Sequence, residues 1–135
     1  MRRNKALIVF LTLIWIMLSL NGCLDKTGMD YLKIKYLLKD LFSAYHEMEL
    51  DEYMSYWSLF SPYVEEERER ARQFFSSTPY FSDIVFGYYV DKFYYYDQGD
   101  TLLEFTYIIG ENIKAKGKMI LRKEGDRWKV WKIDW

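Results

Sequence analysis

The second half of the chain holds four runs rich in β-branched and aromatic residues, about Ile84 to Tyr96, Thr101 to Ile109, Ile113 to Lys123 and Arg127 to Trp135. Between them stand Asp97-Gln98-Gly99-Asp100, Gly110-Glu111-Asn112 and Gly125-Asp126, each a turn signal. None of these links is long enough for the crossover that a parallel pair needs, so successive strands must pair antiparallel. That restriction leaves a four-stranded meander.

Alternation assigns the faces. The second run puts Leu103, Phe105, Tyr107 and Ile109 on one side, with Glu104 and Thr106 opposite. In the third, Ala115, Gly117, Met119 and Leu121 face one way and Lys114, Lys116, Lys118 and Arg122 the other. The fourth changes face midway: Trp128 and Val130 align first, then Trp131, Ile133 and Trp135, which predicts a bulge or a strand covered on both sides. A long first strand and a bulge both give a sheet strong curvature.

Ahead of the strands the period is helical. Ile34, Leu37, Leu38, Leu41, Phe42 and Tyr45 follow helical spacing, with Asp30 as the expected N-cap. A shorter helix is expected over about Asp51 to Phe60, burying Tyr53, Met54, Trp57 and Phe60. Ser61-Pro62 reads as the cap and first-turn proline of a third helix. Its stripe is Val64, Ala71, Phe74 and Phe75, and Glu66 with Arg70 and Glu69 with Arg72 are at pairing distance. Thr78-Pro79 ends it, because the residue before proline avoids helical geometry.

Helices followed by an antiparallel meander make an α+β fold. "LFSAYHEMELDEYMSYWS" and the final "EGDRWKVWKIDW", with its Gly-x-x-Trp-Lys-Val, resemble the NTF2-like (SnoaL-like, cystatin-like cone) superfamily across Asp30 to Trp135. The resemblance implies N-terminal helices packed on a strongly curved four-stranded antiparallel meander sheet around a cavity. It also implies a homodimer through the outer sheet face. It implies no reaction, since the fold hosts isomerases, dehydratases, transport factors and non-enzymatic domains.

Arg2, Arg3 and Lys5 precede an apolar run from Ala6 to Leu20, the pattern of a secretory signal. The run is short for a spanning helix, which needs about 20 apolar residues; a stretched transmembrane anchor is the alternative. Leu20-Asn21-Gly22-Cys23 resembles the lipobox of prokaryotic lipoproteins. That resemblance implies thioether lipidation of Cys23, cleavage before it, and an extracytoplasmic protein on a cell membrane. The expected organisation is a signal peptide over 1–22, a lipidated tether over 23–29 and a domain over 30–135.

Cys23 is the only cysteine, so no disulfide contributes. The 135 residues less the 22 of the leader leave 113, carrying 16 basic and 20 acidic side chains, a net charge of −4. Nothing there attracts nucleic acid in bulk. Aromatic residues, 20% of the chain, must supply the core of so small a domain.

Candidate chemistry is sparse. His46, the only histidine, has a pKa range suited to a general base, but it has no second histidine for a metal site and also fits a helix end. Asp91 and Glu104 interrupt apolar runs; a carboxylate inside the cone would gain a raised pKa and abstract protons. Alternation points Glu104 outward and leaves Asp91 open to either face. The stripe Lys114, Lys116, Lys118 and Arg122 fits either a solvated face or contact with anionic headgroups. Tyr45, Tyr53, Trp57 and Tyr89, with Tyr56, Tyr88 and Phe93 to Asp97, fit a core or an aromatic ligand cavity.

The reading that follows is a membrane-anchored, extracytoplasmic lipoprotein whose domain binds a small apolar or aromatic ligand or a partner protein, without catalysis. No metal, cofactor or nucleic acid is expected. The alternative is an isomerase- or dehydratase-like enzyme using a cavity carboxylate or histidine.

Overall fold

In the computed structural model the described residues are 12, 28–95 and 99–135. Apart from Thr12, Gly28 and Met29, the expected signal peptide and tether, with Cys23, lie outside them, as do Tyr96, Asp97 and Gln98. Two compact units meet between Lys35 and Tyr36. In the first, residues 28–35 are helical, Asp30 and Ile34 are buried, and Met29, Tyr31 and Leu32 are exposed. Asp30 is therefore not an N-cap: Gly28 and Met29 are already helical, so Asp30 sits inside the helix.

The second unit carries the sheet. Helix α1, described over 28–46, contributes its residues from Tyr36 onward, burying Leu37, Leu38, Leu41, Phe42 and Tyr45 as the spacing requires. Met48, with a positive φ of 59°, turns the chain after it. Helix α2 spans Leu50–Ser55 and α3 Val64–Ser77; a 3₁₀ turn, Phe81–Asp83, leads into the sheet. α2 is shorter than expected because the backbone after Tyr56 turns to pair with the sheet. Trp57 bridges Val130 in parallel, the Ser58 N–H donates to the Val130 carbonyl at 2.8 Å, and the Val130 N–H donates to that of Tyr56 at 2.9 Å. Trp57 is buried as expected, but Phe60 is exposed.

Ser61 caps a turn rather than α3 itself, which begins at Val64. Its hydroxyl accepts from the Tyr63 N–H at 3.1 Å and donates to the Trp131 carbonyl at 2.5 Å. Strands β1 (Phe86–Tyr95), β2 (Asp100–Ile109), β3 (Ile113–Glu124) and β4 (Arg127–Asp134) form one sheet in the order β1-β2-β3-β4, every neighbour antiparallel. Gly110 and Gly125 close the last two turns at φ 66° and 61°, a conformation glycine adopts without steric cost.

Two bulges bend this sheet. On β4, Leu121 faces Val130 and Ile120 faces Lys132, so Trp131 is the extra residue. The bulge was legible, but Trp131 is not on the buried side: it lies outside beneath Arg122, whose guanidinium sits 3.6 Å from its ring centre. On β1, Val90 pairs with Phe105 and Lys92 with Glu104, which leaves Asp91 unpaired. Val90 and Phe93 are three apart, so strict alternation cannot face both inward; the bulge absorbs the odd residue.

Candidate functional site

The inner face is full. Leu41, Leu103, Phe105, Met119, Leu121 and Val130 have no exposed surface. Phe42 stacks on Tyr88 at 4.3 Å between ring centres and lies 5.4 Å from Phe105. Tyr45 stacks on Trp135 at 4.7 Å and on Phe74 at 5.7 Å, and meets Phe81 edge-on at 5.6 Å. These rings pack against one another across the core.

One carboxylate is buried among them. Glu67, a turn into α3, sits on the apolar stripe between Val64 and Ala71 and is buried. Its Oε1 accepts from the Tyr53 hydroxyl at 2.8 Å, from Arg70 Nη2 at 2.5 Å and from the Trp135 indole N–H at 3.2 Å; its Oε2 accepts from Arg70 Nε at 2.8 Å. Arg70 also donates to the Tyr45 hydroxyl at 3.4 Å and stands 5.1 Å from the centre of the Trp135 ring. Such a fork-to-carboxylate pair fixes geometry as well as charge. It replaces the expected Glu66–Arg70 pair: both spacings are helical, but only Glu67 faces inward. Glu69 does pair with Arg72.

Burial raises the Tyr53 hydroxyl well above its ordinary pKa, and the Glu67 charge adds to this. Tyr45 is also raised by burial, against the opposing pull of Arg70. Burial would lower the Arg70 guanidinium, but its hydrogen bonds with Glu67 and the field of Tyr45 and Glu67 hold it raised. The two tyrosines stay protonated in the folded chain above 10.0, where unfolded tyrosines ionise, so the unfolded state binds fewer protons there. Their contribution to stability is expected to be intact below pH 10 and lost as pH rises beyond it. In an alkaline titration at 295 nm, Tyr53 should ionise only together with unfolding.

This network forms part of the wall of a pocket of about 330 Å³ between α3 and the end of β4, where Glu66, Glu67, Asp134, Arg70 and Lys132 stand beside Trp57, Tyr63, Ile133 and Trp135. The Trp57 indole N–H is buried and has no partner among the described residues.

The sequence candidates scatter. Tyr45, Tyr53 and Trp57 come together within the core, whereas Tyr89 is 47% exposed on the outer sheet face. His46 Nε2 donates to the Ile84 carbonyl at 2.7 Å, and its ring meets Phe81 edge-on, bracing the helix end against the 3₁₀ turn. Asp91 is the unpaired residue of the β1 bulge, and its Oδ2 accepts from the Thr106 hydroxyl at 2.6 Å. Glu104 faces out, 3.9 Å from Lys118. The basic stripe is interleaved with acids, for Arg122 pairs with Asp100 at 2.9 Å. Asp91, Glu104 and Asp134, with Lys116 and Lys118 and with Phe105 and Trp135, line a pocket of about 460 Å³. Among the described residues no group of three His, Cys, Asp or Glu side chains is placed to hold a metal ion.

No protein-family model matches the sequence, and no curated protein matches it. Solved structures do resemble it. An NTF-2-like protein of unknown function from Shewanella oneidensis superposes at a TM-score of 0.60 with 14% identity, over 77% of this chain and 96% of that one. A domain of unknown function with a cystatin-like fold from Nostoc punctiforme gives 0.60 at 10% identity, over 78% and 75%. A Bdellovibrio bacteriovorus protein, Bd1075, gives 0.56 at 12% identity, over 82% of this chain and 42% of that one. The architecture, helices packed on a four-stranded antiparallel sheet, is the NTF2-like or cystatin-like α+β cone.

Proposed function

We propose that the chain is a prokaryotic lipoprotein, anchored outside the cytosol through a lipid on Cys23, and that its domain is a binding module without catalysis. The observation that carries the second half is that the candidate acids and bases are already committed to protein partners. An enzyme of the isomerase or dehydratase kind needs an open cavity and a base within hydrogen-bonding reach of the substrate. Here Glu67, a buried carboxylate, already accepts from Tyr53, Arg70 and Trp135, and Asp91 accepts from Thr106. His46 is likewise committed to a backbone carbonyl.

Binding belongs instead to the pocket between α3 and β4. Its walls set the rings of Tyr63 and Trp135 beside the charged groups of Glu66, Arg70 and Lys132. That combination suits a small aromatic ligand bearing polar groups. The outer sheet face, with its interleaved charges, suits solvent better than an apolar dimer contact.

Protein extracted from membranes tests both halves. The mass spectrum should show residues 1–22 gone and acyl chains on Cys23, and Cys23→Ser should abolish the acylation; an intact leader with no acyl mass overturns the anchor. Small aromatic carbonyl or hydroxyl compounds should raise the melting temperature of the wild type by mass action and lose that effect in Tyr63→Ala. Turnover of such a compound would restore the enzyme alternative.

A further inference from the structure

The short turn Ser58-Leu59-Phe60-Ser61 carries two of the most exposed large apolar side chains in the described residues. Leu59 is 83% and Phe60 80% exposed, although the serines on either side are buried. Single exposed apolar residues need no explanation, but two adjacent ones on a fixed protrusion do.

The turn is held from both ends. The Ser61 N–H donates to the Ser58 carbonyl at 3.2 Å and closes it. The Ser58 hydroxyl donates to Glu124 and accepts from the Phe60 N–H. Ser61 is tied to the Trp131 carbonyl and the Tyr63 N–H, as described above. The backbone of Ser58 is joined to Val130. Leu59 and Phe60 are therefore presented rather than left loose, and their ordering entropy is already met in the free protein.

We infer that this turn inserts Leu59 and Phe60 into the apolar boundary of a lipid bilayer, as a second attachment beside the Cys23 lipid. This rests on the anchored reading proposed above. A convex tip with two apolar side chains suits a fluid apolar medium, whereas a protein partner would have to supply a matching pocket. The neighbouring strand β4 adds two basic side chains: Lys129 Nζ donates to the Ser55 carbonyl at 2.9 Å, and Lys132 Nζ lies 4.8 Å from the centre of the Tyr63 ring and 3.6 Å from Asp134. Aromatic rings and basic side chains together are what the bilayer interface accommodates best.

Site-directed spin labelling of the whole lipidated protein tests this, because a thioether-bound Cys23 cannot take the label. Single variants Leu59→Cys, Phe60→Cys and, as a control on the exposed β2–β3 turn, Glu111→Cys are labelled and reconstituted in phosphatidylethanolamine–phosphatidylglycerol vesicles. Labels at 59 and 60 should lose collisions with an aqueous nickel chelate and gain collisions with oxygen, while the label at 111 stays aqueous. Lipidated protein whose labels at 59 and 60 match the label at 111 overturns the insertion alone. A second label on Cys23, seen as added mass, overturns the anchor and the insertion with it.

Discussion

Glu67→Ala is expected to destabilise the domain by about 3–5 kcal/mol, the cost of breaking a buried ion pair by removing one partner. The loss is not confined to the pair. Tyr53 is fully buried, so its hydroxyl would be left as a donor with no acceptor, and the Trp135 indole would lose its partner as well. Arg70 is better placed, since its side chain is 38% exposed and water can reach it. That moves the expected value toward the lower end of the range. Glu67→Gln keeps one oxygen for Tyr53 and should cost clearly less. Urea unfolding of the variants measures this, with unchanged slopes showing that compactness is preserved. Equal costs for Ala and Gln would mean that the charge, rather than the acceptor geometry, holds the network.

Gly117 provides the second large effect, with the opposite sign to the usual one. Replacing a strand glycine by alanine ordinarily stabilises by about 0.5–1 kcal/mol. Here Gly117 lies opposite Phe105, whose ring crosses it. A Cβ would stand 2.5 Å from Phe105 Cζ and 2.9 Å from the Asp134 carbonyl oxygen. Neither neighbour can yield easily: Phe105 is fully buried against Phe42 and Trp135, and the other atom is backbone. Gly117→Ala should therefore destabilise by about 1–3 kcal/mol, and Gly117→Val by more, as overpacked cores do. Gly87→Ala is the control, because nothing stands within 4 Å of its added Cβ. It should be neutral or slightly stabilising. If both alanine variants behave alike, Phe105 does not lie across Gly117.

Much of the fold was legible because short links and two-residue alternation leave few alternatives. The turns at Gly110 and Gly125 fixed antiparallel order, and the break in alternation between Val130 and Trp131 announced the β4 bulge. Its direction was not legible, since only the partner strand shows that Arg122 draws Trp131 outward. The β1 bulge had a weaker signal of the same kind, the odd spacing of Val90 and Phe93. Asp91 was ambiguous because the tyrosines flanking it make either face tolerable.

The candidate site was harder to read, because a buried charge looks in sequence like any solvated one. Glu66 and Glu67 are neighbours, and each can pair with Arg70 along a helix. The distinguishing mark is that Glu67 falls on the stripe of Val64, Ala71 and Phe75, where a carboxylate must find donors. Two of its donors are remote in sequence: Tyr53 belongs to α2, and Trp135 follows the last strand. No local pattern could supply them. The exposure of Phe60 was hidden likewise, because helical spacing carried the expected α2 past Ser55, where pairing with Val130 ends it.

The aromatic core among Phe42, Tyr45, Phe105 and Trp135 is packed side chain and not a ligand cavity. Xenon enters dry apolar cavities and shows them directly in diffraction from pressurised crystals. The expected result is no ordered xenon among Phe42, Tyr45, Phe105 and Trp135. A xenon atom bound there would contradict the packed interior and restore the cavity that an enzyme of this fold requires.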